Sequence, residues 1–142
     1  MKNHKFMEKS IRTSWLFNLV SAFLAFMLWG SWAYYINSAN SAQSGIISAL
    51  TQGTASFMIT FVMVRAVTYL YHYFQNPVTK IVLPAIVVVS FTSVLLVNVH
   101  TLMGTPRVFY TILPGLTVAF CFCLLTSFKL LKIQQQRCKQ YE

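Results

Sequence analysis

Residues 45–65 read GIISALTQGTASFMITFVMVR, from Gly45 to Arg65, and this stretch decides the fold. No charge interrupts it before Arg65. A helix crossing a hydrocarbon core of about 30 Å needs about 20 mostly apolar residues at 1.5 Å each. The stretch meets that length. Apolar and aromatic character continues through Tyr69, Tyr71, Tyr73 and Phe74, so a helix from Gly45 to about residue 74 would measure roughly 45 Å. Its last turns are expected to tilt, bend or project beyond the hydrocarbon.

The same stretch carries an ordered set of small and polar residues. Gly45, Ala49 and Gly53 recur every four positions, and so do Ser48, Gln52, Ser56 and Thr60. At about 100° per residue these seven occupy one helix face about 140° wide. Small residues allow two helix backbones to approach closely, and hydroxyls or an amide can hydrogen-bond across the contact. The plain expectation is packing within the chain. The sharper one is an interface between copies of the chain, or a polar-lined path. Gln52 favours the sharper reading, because an amide in hydrocarbon must find partners.

Three further apolar runs lie at 15–36, 81–99 and 111–131, which gives a single all-α domain over 1–142 with four transmembrane helices. Of 142 residues 56% are hydrophobic and 9% charged, against about 25% charged in a soluble domain, so lipid is the expected solvent. There are 11 Lys and Arg against 2 Asp and Glu, giving a net charge of +9. The basic residues form no aromatic-interleaved stripe, so nucleic acid is not an expected partner. They sit between the apolar runs, where orientation signals belong. Lys2, Lys5, Lys9 and Arg12 precede the first run, Arg65 and Lys80 flank the turn after the second, and Lys129, Lys132, Arg137 and Lys139 close the chain. Only Arg107 falls on the other side, so both termini are expected in the cytoplasm. Trp29, Trp32, Tyr34, Tyr35 and Tyr110 would form the outer aromatic belt, with Trp15 and Tyr69 at the inner one. The leader with Ser31-Trp32-Ala33 has the outline of a secretory signal, but the bulky aromatics and the long apolar run argue against cleavage.

Two groups of residues are candidates for binding an anion. Arg65 and His72 share the face of the second run opposite its small residues. They suit either a snorkelling topology signal or contact with an anionic lipid headgroup. Asn98, His100, Thr105 and Arg107 could converge on an anion at the outer surface, beside a turn signalled by Gly104 and Pro106. Pro114 and Gly115 are expected to open the backbone at the start of the fourth run, and His100 alternatively caps a helix end. No Asp occurs, and Glu8 and Glu142 are near the ends, so no carboxylate relay, paired-carboxylate hydrolysis or carboxylate metal site is expected within the membrane. Cys121 and Cys123 point about 200° apart on a helix, so they are expected to be small packing residues rather than ligands of a shared metal. Neither a metal nor a cofactor is expected, and no catalytic set stands out.

The segments Gly104-Thr105-Pro106 and Thr111-Ile112-Leu113-Pro114-Gly115, with Thr51-Gln52-Gly53 and Ser56-Phe57, resemble uncharacterised small four-span bacterial inner-membrane proteins. That resemblance implies a multi-pass inner-membrane location and supplies no activity. The expectation for function is a non-enzymatic protein, transporting or handling a lipid or lipid-linked anionic substrate as a homo-oligomer. The alternative is an accessory or scaffold subunit of a larger membrane complex.

Overall fold

In the computed structural model the backbone is described over residues 2–140, and side chains over 15–136 with 138 and 139. The side chains of Lys2, Lys5, Glu8, Lys9, Arg12 and Arg137, and all of Glu142, lie outside the described residues. Four helices follow in order: α1 (Lys2–Asn37), α2 (Ala42–Tyr73), α3 (Pro77–Leu102) and α4 (Val108–Gln140). All four are long and apolar enough to cross a membrane. Large apolar side chains such as Phe17, Phe91, Leu102 and Leu125 stay exposed around the bundle, as a multi-pass membrane protein requires.

The helices run past the apolar limits read from the sequence. α1 begins in the charged leader and α4 runs nine residues beyond 131, because Lys, Arg, Gln and Glu are good helix formers and no Gly or Pro intervenes. The breaks are correspondingly tight. Ser41 caps α2 by accepting the Ser44 N–H at 3.0 Å, and Pro77 opens α3 at a position that needs no N–H donor. One end of the bundle carries the α1–α2 and α3–α4 connections and is called the two-loop end below. The terminal end carries the α2–α3 turn and both chain ends.

α1 packs most extensively on α2, and α3 on α4, while α2 and α4 also touch across the middle. α1 and α3 do not meet among the described residues. The tightest crossing is α1 on α2, and the small-residue face creates it. A Cβ on Gly30 would lie 3.1 Å from Ala49 O, and one on Gly53 would lie 3.0 Å from the Phe26 ring. The face from Gly45 to Gly53 is therefore packed against α1 within the chain, the plainer of the two expectations. Deeper toward the terminal end, Met63, Val67, Ala85, Val88 and Cys123 form the apolar core.

Pro114 does not open α4, contrary to expectation. Proline removes the N–H that would bond the carbonyl of Tyr110, and that carbonyl instead accepts the Trp32 indole N–H of α1 at 3.0 Å. A neighbouring helix has replaced the missing donor, so the helix continues.

Candidate functional site

The polar residues of α2 meet their partners below the two-loop end. α3 stops at Met103, and Gly104 follows with φ of 69°, a left-handed value that suits a residue without Cβ. The Gly104 N–H bonds Thr101 O at 3.1 Å and the Thr105 N–H bonds His100 O at 3.0 Å, the paired pattern of a Schellman stop. That stop folds Thr105 back over His100. The position that usually makes an apolar contact here makes a hydrogen bond instead.

His100 is fully buried and uses both ring nitrogens. Nε2 lies 2.7 Å from Gln52 Oε1 and Nδ1 lies 2.8 Å from Thr105 Oγ1. An amide oxygen can only accept, so Nε2 carries the proton. In the neutral ring Nδ1 then accepts from the Thr105 hydroxyl, which itself accepts from Ser48 Oγ at 3.4 Å. On the far side Gln52 Nε2 donates to Ser56 Oγ at 3.3 Å. One directed chain thus runs from Ser48 through Thr105, His100 and Gln52 to Ser56, joining α2, the end of α3 and the loop. Each link is a buried polar group whose loss would leave its neighbour unpaired.

A second cluster fastens the same loop to α1. Asn37 is fully buried; its amide donates to Ala33 O at 2.9 Å and Thr111 Oγ1 at 2.8 Å, and its oxygen accepts the Arg107 N–H at 3.1 Å. The outer anion set read from the sequence is therefore not assembled. Asn98 is exposed and bonds Val94 O, His100 has both nitrogens engaged inside the bundle, and only Arg107 presents a cation at that surface. Trp29 also departs from the expected aromatic belt and points inward, toward Gly115 and Gln52.

An apolar groove of about 850 Å³ lies between α2 and α3. Its walls run from Ile47 to Leu70 on one side and from Val87 to Met103 on the other. The α2 wall alone is roughly 35 Å long. The volume falls in the upper part of the range for small-molecule sites, about 300–1,000 Å³. Thr51, Ala55 and Ala66 give a small-residue floor, while Met58, Met63 and Met103 supply unbranched, adaptable side chains. Sequence periodicity alone did not reveal the groove, because its depth depends on how far α2 and α3 diverge.

Arg65 and His72 are both exposed, as the helical spacing implied. Arg65 does not line the groove; it lies about 60° around the helix from Val62 and about 100° from Ala66, the wall residues at its depth, and so stands at the groove's margin. His72 and the exposed Tyr69 extend the same line toward the terminal end. The Arg65 guanidinium rests 5.9 Å from the Phe61 ring centroid. Lys80, the cation that begins α3, instead lies over the buried Tyr71 ring, whose hydroxyl donates to Gln134 Oε1 at 2.9 Å. Among the described residues no three His, Cys, Asp or Glu side chains are placed to hold a metal. Comparison with protein-family models, with curated proteins and with solved structures gives no match.

Proposed function

We propose that this protein is a non-enzymatic lipid-handling protein of the bacterial inner membrane, which holds the hydrocarbon chain of an anionic phospholipid in the α2–α3 groove. The observation that carries this reading is the apolar groove, with the exposed Arg65 standing one helix turn from Val62 of its α2 wall. An apolar trough with a cation at its margin matches an amphiphile with an acidic head. The +9 net charge favours anionic over zwitterionic lipid through the same electrostatics. In this reading the terminal end, with ten of the 11 basic residues, faces the cytoplasm. Because α1 packs on the Gly45–Gly53 face, this reading puts the lipid in the α2–α3 groove of a single protomer.

A photoreactive benzoylphenylalanine placed at Phe91, on the exposed groove wall, tests the reading in native membranes. Adducts with phosphatidylglycerol or cardiolipin, reduced by Arg65→Ala at unchanged protein abundance, are expected. Adducts with a single foreign protein and none with lipid would replace it with the accessory-subunit reading.

A further inference from the structure

A second, smaller cavity of about 40 Å³ is lined by residues of all four helices. Trp29 of α1, Gln52, Ser56 and Thr60 of α2, Thr92 of α3 and Gly115 of α4 line it. A cavity of about 10–15 Å³ already admits one water molecule when polar groups face it, whereas a wholly apolar one stays dry. This one has an amide and three hydroxyl side chains on its wall. Gln52 is 1% exposed, and its bond to Ser56 uses one of two amide hydrogens, leaving the second for the cavity.

We propose that this cavity is a hydration site holding one or two water molecules between Gln52, Ser56, Thr60 and Thr92. Water there accepts from the free Gln52 hydrogen and donates to hydroxyl oxygens. It extends the chain from Ser48 through Thr105, His100 and Gln52 into the middle of the bundle. Thr92 belongs to the wall of both the cavity and the groove, so the hydrated centre also gives the groove a polar contact partway along its length. Below it Met63, Val67, Val88 and Cys123 form the apolar core. No charged side chain lines the cavity, which selects water over an ion.

Gly115 supplies the test. A Cβ there would sit 3.6 Å from Trp29 and 3.7 Å from Gln52 Nε2, ordinary contact distances, so Gly115→Ala fits while taking the space of a water. In proteoliposomes with labelled glutamine, solid-state NMR measures magnetisation transfer from water to each side-chain amide. Gln52 is expected to receive transfer in the wild type, and to lose most of it in Gly115→Ala while the exposed Gln43 keeps its own. Absence of transfer at Gln52 in the wild type overturns the proposal, and so does equal transfer in the two proteins. Should the variant fail to accumulate, the wild-type measurement alone decides. The result is independent of what occupies the groove.

Discussion

Replacing His100 by Ala should destabilise the bundle by about 2–4 kcal/mol. The imidazole makes two hydrogen bonds of 2.7 and 2.8 Å, and its partners Gln52 and Thr105 are 1% and 7% exposed, so neither can turn to solvent. Hydrogen bonds between membrane helices average about 0.6 kcal/mol and reach about 1.7 in double-mutant cycles, which puts the pair at about 1–3 kcal/mol. The space vacated by the ring adds about 1 kcal/mol, as partly relaxed cavities do. Thr105→Val keeps the shape and removes one hydroxyl, so it should cost about 1 kcal/mol. Reversible unfolding in mixed micelles, followed by Trp29 and Trp32 fluorescence, measures both. His100→Ala within about 0.5 kcal/mol of wild type, the range of ordinary surface changes, would refute the network's structural role.

Three further outcomes follow from particular contacts. Trp32→Phe should cost about 1 kcal/mol by leaving the Tyr110 carbonyl unpaired, and the same change should be nearly neutral in a Pro114→Ala background, where the helix supplies its own donor; an equal cost in both backgrounds contradicts the pairing. Gly53→Val should separate α1 from α2 and cost about 1–3 kcal/mol in the same unfolding assay, because even a Cβ there meets Phe26 at 3.0 Å; a neutral result would mean the crossing is looser. Gly104→Ala should cost about 1–2 kcal/mol through its left-handed φ alone, since nothing lies within 4 Å of the added Cβ; a stabilised variant would show that the turn adopts another conformation.

The four apolar runs were legible in the sequence because span length and hydropathy are local properties. Their ends were less so: helices of Lys, Arg and Gln continue beyond an apolar window, and nothing in the window marks where they stop. The small-residue face of α2 was readable as a helix contact, but its partner was not. Gly30 is a single glycine in α1, and only the fold brings it against Ala49 and Gly53. Likewise Gln52 advertised a buried partner, while His100 and Thr105 looked like surface residues of a polar loop. The Schellman stop at Gly104 turns that loop inward, a long-range consequence of one backbone conformation. Asn37 and Tyr71 left no sequence signal beyond being polar atoms near the ends of apolar runs.

Native mass spectrometry of the protein released from its own membrane tests the lipid site most directly. The wild type should retain one anionic phospholipid in preference to phosphatidylethanolamine, and both Ala55→Phe, which fills the groove floor, and Arg65→Ala, which removes the cation, should lose that retained lipid while remaining folded. Equal retention in the wild type and Ala55→Phe, or no preference for the anionic head, would contradict the assignment of the α2–α3 groove as the lipid site.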